Sequence, residues 1–160
     1  MLAGQRPKRR VVRATKVTWV APDAKLIKVN TDEAFSPASN IAGGGGIIRN
    51  PEAAQHGDNI WMETDATAIV QMLGENEHGS APARHILPRI RQKHSGLNVK
   101  ISFIPREGNK PADYLAEQGK EEQELRIINP RAASDRLRAM VEMDGKGIPN
   151  FRFQRRWSAI

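Results

Sequence analysis

Four consecutive glycines, Gly43 to Gly46, lie inside an otherwise apolar stretch that runs from Ile41 to Ile48. Because glycine has no side chain, a strand of this composition lets another stretch of backbone approach closely. A phosphate-binding loop is the alternative interpretation of such a run. The Gly-Lys-Ser/Thr ending that such loops require is missing here. We therefore predict a strand that packs tightly against another element.

A second strand is predicted just before the glycine run, over residues 25–32. Period two places Lys28, Asn30 and Asp32 on one face, and the aliphatic residues on the other. The two strands are expected to pair as a hairpin across residues 36–40. A face made of Lys, Asn and Asp is a poor core, so Asp32 is the strongest candidate for a functional residue.

The patterns between residues 58 and 119 complete an α/β domain with the order β-β-β-α-α-β-α. Further strands are predicted over residues 58–64 and 99–105, and helices over 66–73, 81–95 and from Asn109 to Gln118. The predicted helix details are caps at Asp65, Ser80 and Asn109, a kink or split at Pro88, Tyr114 and Leu115 facing inward, and an end at Gly119.

Three aspartates, Asp32, Asp65 and Asp113, lie at ends of predicted strands or helices. Carboxylates that converge at one end of a sheet repel one another unless a cation neutralises them. Mg²⁺ needs few protein ligands in addition to substrate phosphate, and two such ions about 4 Å apart promote phosphodiester hydrolysis. A simpler interpretation stays open for two of them: Asp65 as a helix cap, and Asp113 as a helix-dipole partner.

The net charge of +7 is unevenly distributed along the 160 residues. Residues 1–20 carry six cations and no acid, residues 131–160 carry a net +4, and residues 21–130 carry a net −3. We predict a basic disordered arm over 1–20, an α/β domain over 21–120, and a basic, weakly structured extension over 121–160 with a helix over 131–143. For residues 6–10, a nuclear address, a phosphate-binding tail and a solvated tail all remain open.

Composition excludes several classes of protein. The absence of cysteine excludes a disulfide framework, thiol catalysis and cysteine-based metal sites. No apolar run approaches the roughly 20 residues of a membrane span, and no apolar segment near the N-terminus marks a secretory signal. We expect an intracellular protein of the nucleus or cytoplasm, neither secreted nor bound to a membrane. The four histidines are expected at the surface.

Several sequence motifs, in this order, resemble the ribonuclease H-like domain common in plants, which is often a fragment of retrotransposon reverse transcriptase. They are Trp19-x-x-Pro22, Lys28-Val29-Asn30-Thr31-Asp32-x-Ala34-Phe35, Ala42-Gly43-Gly44-Gly45-Gly46-Ile47-Ile48-Arg49, Glu63-Thr64-Asp65-Ala66 and Arg106-Glu107-x-Asn109-x-x-Ala112-Asp113-x-Leu115-Ala116.

The resemblance implies a mixed sheet flanked by helices and cleavage of the RNA strand of RNA–DNA hybrids with Mg²⁺ or Mn²⁺. It assigns Asp32, Asp65 and Asp113 as catalytic metal ligands at a two-metal site. Asn109 is expected to fix the last helix and to belong to the nucleic-acid-binding surface. The cationic residues assigned to that surface are Arg9, Arg10 and Arg13.

The chain also departs from this family. The family has a third strand and a glutamate-bearing helix before the Glu-Thr-Asp strand, whereas residues 51–57 are too few for either, and Glu52 is the only carboxylate there. Period two is expected to turn Glu33 away from Asp32, and Glu63 away from the neighbours of Asp65. The sequence therefore predicts a ribonuclease H-like fold truncated between its second strand and the Glu-Thr-Asp strand.

Three functional hypotheses follow from this pattern. The first is a ribonuclease H-like nuclease, or its remnant, whose turnover is impaired by the missing glutamate. The second is a non-catalytic nucleic-acid-binding module whose affinity comes from the basic ends and depends steeply on salt. The third is a truncated, retroelement-derived product that does not fold stably.

Overall fold

A computed structural model describes residues 8–50, 59–74, 86–122 and 124–159. The strands are β1 (Lys8–Val17), β2 (Ile27–Ser36), β3 (Ile41–Arg49), β4 (Asn59–Thr64), β5 (Asn98–Phe103) and β6 (Asn150–Ala159). The helices are α1 (Thr67–Gly74), α2 (Leu87–His94), α3 (Lys110–Glu122) and α4 (Asp135–Gly145), with short 3₁₀ turns at Arg106–Gly108 and Pro130–Ala132. From β2 to α3 the order is the predicted β-β-β-α-α-β-α.

The main sheet has four strands in the order β3-β2-β4-β5. β2 and β3 form the predicted antiparallel hairpin, while β4 runs parallel to both β2 and β5. Asn40 closes the hairpin with a positive φ of 53°, a conformation that asparagine adopts more readily than most residues. The fold is therefore the predicted mixed sheet with helices. The proposed truncation falls on residues 51–58, outside the described residues.

The glycine run provides the close packing that the sequence predicted. Helix α3 lies across β3, and a Cβ atom on Gly43 would be 2.7 Å from the carbonyl oxygen of Ala116. A Cβ on Gly45 would be 2.7 Å from the Cβ of Leu115, whereas one on Gly44 would meet nothing within 4 Å. Alternate glycines therefore face the helix, as the period of a strand requires.

Helix α3 differs from its prediction in two respects. Its buried residues are Pro111, Ala112 and Ala116, whereas Tyr114 and Leu115 are half-buried. Because the glycines bring the backbones of β3 and α3 close together, only small side chains fit between them. The helix also continues through Gly119 to Glu122. A Cβ on Gly119 would lie 2.7 Å from the carbonyl oxygen of Gly44, so this glycine serves close approach and does not end the helix.

The starts of the other two domain helices also differ from prediction. The N–H of Val70 donates to the carbonyl of Ala66, so Ala66 and not Asp65 precedes the first helical residue of α1. Helix α2 begins at Leu87, which places Pro88 in its first turn. Proline is tolerated there because that N–H needs no intrahelical partner. The part of the predicted helix before residue 86 lies outside the described residues, so the predicted kink or split at Pro88 stays a prediction. Ser80 lies outside the described residues.

The two ends of the chain pair with each other. β1 and β6 form a two-stranded antiparallel sheet, with Lys8 opposite Ala159 and Val17 opposite Asn150. We call this pair the terminal ribbon. The predictions of a disordered N-terminal arm and a weakly structured C-terminal extension therefore differ from the structure. Each strand acquires its hydrogen-bonding partner only from the other end of the chain, which local patterns do not reveal.

Helix α4 connects the C-terminal region to the main sheet. The Ser134 hydroxyl accepts a hydrogen bond from the N–H of Leu137 and caps the helix. At its other end, Asp144 forms a buried ion pair with Arg49 of β3, at 2.8 Å between Oδ2 and Nη2. The Arg49 guanidinium also lies 4.0 Å from the ring centre of Trp19. In the part of the chain that the structure describes, no helix is both long and apolar enough to cross a membrane.

Candidate active site

Two of the predicted site residues meet at the point where the parallel pairing of β2 and β4 ends. Thr31 of β2 is paired with Thr64 of β4. Asp32 is the next residue of β2, and Asp65 directly follows the end of β4. Parallel strands present their carboxyl ends at the same edge of a sheet. The Asp32 and Asp65 carboxyl groups are consequently within hydrogen-bonding reach of each other.

This proximity changes the acidity of Asp32. Burial raises its pKa from 3.8 to about 6, with further upward contributions from the neighbouring Asp65 and Asp113 carboxylates. The backbone N–H of Glu33 donates to Asp32 Oδ1 at 2.8 Å and opposes the shift by stabilising the charged form. The site therefore concentrates negative charge that an added cation would relieve.

The third aspartate approaches this pair but has a partner of its own. Asp113 lies in the first turn of α3, and the Nε of Arg106 donates to its Oδ1 at 3.0 Å, with Nη2 also in contact. The Asp113 carboxylate raises the pKa of Arg106, and Asp32 and Asp65 act in the same direction. Arg106 thus supplies the positive charge beside the three carboxylates.

The Asp32–Asp65 pair fits a hard divalent cation. Its ligands are carboxylate oxygens, and Mg²⁺ or Mn²⁺ requires few protein ligands when substrate phosphates and water complete the shell. Among the residues that the structure describes, however, no three Asp, Glu or His side chains are arranged to hold a metal ion. The predicted three-ligand set is therefore present as a close pair, with Asp113 nearby and turned to Arg106.

A buried polar network lies beneath this pair on the same face of β2. Asn30 is fully buried, accepts a hydrogen bond from Trp19 Nε1 at 3.0 Å, and donates to Glu63 Oε2 at 3.0 Å. Its amide also donates to Asn109 Oδ1 at 3.2 Å, and Asn109 Nδ2 donates to the carbonyl of Thr31 at 2.9 Å. The network fixes the first turn of α3 to the strand that carries Asp32.

Lys28 and Glu63 form an ion pair inside this network. Lys28 is fully buried, and its Nζ lies 2.9 Å from Glu63 Oε2 and donates to the Val20 carbonyl at 2.6 Å. The ammonium also sits 3.7 Å from the ring centre of Trp61. Burial lowers the Lys28 pKa, while Glu63 opposes that shift. Because these contacts satisfy Glu63, its carboxylate is committed to holding β2 against β4.

Glu63 is a residue of this network that the sequence did not predict. Glu63 is two residues before Asp65 and faces the same side of the sheet as Asn30, its partner in the β2–β4 register. The signal was available, since period two had already placed Lys28 and Asn30 on the face of Asp32. What the sequence lacked was the register that brings a buried lysine to a buried glutamate.

The remaining predicted site residues occupy different environments. Asn109 is fully buried, so it positions α3 and its side chain does not face solvent, in contrast to its predicted place on the nucleic-acid-binding surface. Arg13 is exposed on β1, and Arg9 and Arg10 belong to the same strand, although their side chains lie outside the described residues. Glu52 and three of the four histidines also lie outside them, as does the side chain of His94.

Solved structures with this arrangement of elements identify the fold. A ribonuclease H1 isolated from compost by a metagenomic approach superposes with a TM-score of 0.53 at 16% identity, covering 62% of this chain and 98% of that one. The ribonuclease H1 of the halophilic archaeon Halobacterium salinarum gives 0.52 at 18% identity, covering 61% and 98%. The N-terminal ribonuclease H domain of a Mycobacterium tuberculosis protein gives 0.51 at 13% identity, covering 60% and 94%. The chain has a ribonuclease H-like fold.

Of two sequence comparisons, one adds to this likeness. A family model described as reverse transcriptase-like matches residues 53–119, which contain Asp65, Asn109 and Asp113 but not Asp32. A dTDP-4-dehydrorhamnose reductase from Escherichia coli is 32% identical over 109 residues, covering 66% of this chain and 35% of the reductase. The chain thus spans about a third of the length of that curated relative.

Proposed function

We propose that this protein is a nucleic-acid-binding ribonuclease H-like enzyme that hydrolyses the RNA strand of RNA–DNA hybrids. The observation that carries the proposal is the closeness of Asp32 and Asp65, where the parallel pairing of β2 and β4 ends, with the pKa of Asp32 raised to about 6. A ribonuclease H-like fold supports nucleic-acid binding at this edge of the sheet.

In this proposal the Asp32 and Asp65 carboxylates bind divalent cations, Mg²⁺ or Mn²⁺, as in a two-metal site. Such ions, when bound, activate water and stabilise the leaving oxygen of a phosphodiester. Arg106 holds Asp113 beside the pair, and its guanidinium is positioned for a phosphate that approaches from solvent. The buried network of Asn30, Glu63 and Asn109 keeps β2, β4 and α3 in register around these groups.

We expect slow turnover because the site lacks the carboxylate of one further glutamate. Glu63 is engaged by Lys28 and Asn30, so it does not replace the glutamate that the family carries on the helix absent from this sequence. A non-catalytic nucleic-acid-binding module is the second candidate. The Arg106–Asp113 contact favours it, because it already neutralises one of the three carboxylates.

Three further parts of the proposal concern the residues that contact nucleic acid, the origin of the protein and its place in the cell. Arg9, Arg10 and Arg13 of β1 are proposed to contact phosphates of the hybrid, which would make binding depend on salt. Descent from a plant retroelement and a place in the nucleus or cytoplasm are proposed from the sequence motifs. A truncated product that does not fold stably remains the third proposal.

The test is a cleavage assay on the full chain. A labelled RNA–DNA hybrid is incubated with Mg²⁺ or Mn²⁺ and with the wild type, Asp32→Asn, or Asp23→Asn, which changes an exposed aspartate outside the site. Cleavage by the wild type and Asp23→Asn, lost in Asp32→Asn, supports the enzyme. Salt-sensitive binding without cleavage supports the binding module, and a chain without a cooperative melting transition supports the truncated product.

A further inference from the structure

We propose that one face of the terminal ribbon binds single-stranded nucleic acid, with unpaired bases stacking on Phe151 and Phe153 and phosphates contacting Lys16 and Arg155. The ribbon lies outside residues 53–119, the segment matched by the family model, and is separate from the three aspartates. This binding does not depend on the proposed hydrolysis.

The register of the ribbon assigns these side chains to one face. In an antiparallel pair, directly opposed residues project to the same side, and the side alternates along each strand. Lys16 is opposite Phe151, Ala14 is opposite Phe153, and Val12 is opposite Arg155. All six of these residues are exposed. The opposite face includes Val17, which is buried against the domain.

The two phenylalanines form an open aromatic platform. Phe151 and Phe153 expose 48% and 68% of their surface, and their ring centres are 6.5 Å apart with planes inclined by 29°. Successive exposed aromatic rings beside cations are the usual means of holding unpaired bases without sequence preference. Bases in a duplex are already stacked on one another, so the platform selects single strands.

The charge of the ribbon selects a polyanion as the occupant. β1 and β6 together contain eight Lys and Arg residues and neither Asp nor Glu. Two copies of this surface would repel each other, which disfavours a dimer built through the phenylalanines. A nucleic-acid strand offers both the phosphates and the flat apolar faces that this mixture of side chains complements.

The ribbon packs against the domain at the end of β1. A Cβ on Gly108 would lie 2.9 Å from Cγ1 of Val17, the last residue of β1. Gly108 ends the 3₁₀ turn that begins with Arg106, whose side chain holds Asp113. The ribbon therefore contacts this turn through Val17, on the face opposite the phenylalanines, which leaves the binding face open.

The experiment measures binding of the full chain to a labelled, unstructured oligo-dT of about 15 nucleotides by fluorescence anisotropy. Phe151→Leu/Phe153→Leu keeps apolar side chains but removes the rings, and we expect it to weaken binding at least about tenfold. Phe151→Tyr/Phe153→Tyr keeps the rings and should bind like the wild type. Leu125→Ala/Ile127→Ala changes two other exposed apolar residues and should also bind normally.

Salt dependence tests the phosphate contacts separately. Lys16→Gln/Arg155→Gln should lower the magnitude of the slope of log affinity against log salt by about 1.4, since each phosphate contact on a single strand contributes about 0.7. Melting curves of each variant check folding. If the Leu variant fails to fold, the salt slope of the Gln variant still decides the proposal.

Several results would overturn the proposal. The first is equal affinity of the Phe151→Leu/Phe153→Leu and wild-type proteins for the oligonucleotide. The second is that the wild type binds a duplex of the same length as tightly as the single strand, or binds phosphatidylserine vesicles more tightly than the oligonucleotide. The third is that the main effect of the Leu variant is a change of oligomeric state. Asp32→Asn should bind the oligonucleotide normally. A wild-type protein that binds the oligonucleotide but does not cleave the hybrid would contradict the proposed enzyme and leave the ribbon proposal standing.

Discussion

At the scale of single residues, two effects disfavour the charged form of Asp32. It is held close to Asp65 by the register of β2 and β4, and burial disfavours its charged form. Both effects destabilise the protein without a cation and favour the state in which a cation is bound. The Asn30–Glu63–Lys28 network beneath it supplies the rigidity that keeps these two carboxylates together.

The raised pKa of Asp32 leads to a prediction about stability. Between the ordinary value of 3.8 and about 6, the folded protein keeps a proton that the unfolded chain releases, so stability falls as the pH rises through this range. Asp32→Asn should remove this fall and, without divalent ions, stabilise the protein at pH 7 by on the order of 1 kcal/mol after allowance for solvent screening.

Urea unfolding at several pH values, in the presence of a chelator, checks this prediction. Asparagine keeps the acceptor oxygen for the Glu33 N–H, so the change tests charge and little else. An Asp32→Asn protein with the same pH slope as the wild type would show that the pKa of Asp32 is not raised.

At the scale of elements, the contact between β3 and α3 determines the shape of the domain. Gly43 and Gly45 on the strand and Gly119 on the helix let the two backbones approach. The sequence predicted a close-packed strand from the glycines. It did not predict that α3 is the partner, and it therefore assigned Gly119 as a helix end.

This contact gives a prediction with a matched control. Gly45→Ala places a methyl group against the backbone of Ala116 and Leu115 and should destabilise the protein by about 2–3 kcal/mol. Gly44→Ala points its methyl group into open space and should change stability by no more than about 0.5 kcal/mol. Thermal or urea unfolding of the two variants compares them, and equal losses would contradict the packing.

At the scale of the whole molecule, β1 and β6 from the two ends pair with each other, and α4 is attached to the main sheet through Asp144 and Arg49. Patterns of two and 3.6 residues were sufficient for the strands and helices from β2 to α3, because each depends on local alternation. They did not reveal the terminal ribbon, since its strands are separated by more than a hundred residues. The aspartates were found from their motifs, whereas the lysine–glutamate pair behind them required the sheet register.

The Arg49–Asp144 pair tests how firmly the C-terminal helix belongs to the domain. Asp144→Ala leaves the buried Arg49 guanidinium without its counter-ion and should cost about 3–5 kcal/mol. Asp135→Ala, on the same helix, breaks a pair with Arg138 in which the aspartate is 94% exposed, and should cost less than about 1 kcal/mol. Urea unfolding measures both, and a small loss for Asp144→Ala would mean that α4 is only loosely attached.

The central claim is that Asp32 and Asp65 form a divalent-cation site at the end of the sheet. The most direct measurement is Mn²⁺ binding to the full chain, followed by electron paramagnetic resonance at pH 8, where Asp32 is ionised. We predict saturable binding by the wild type and by Asp23→Asn, and its loss in Asp32→Asn. Equal Mn²⁺ binding by the wild type and Asp32→Asn, or no binding by any of the three, would contradict the claim.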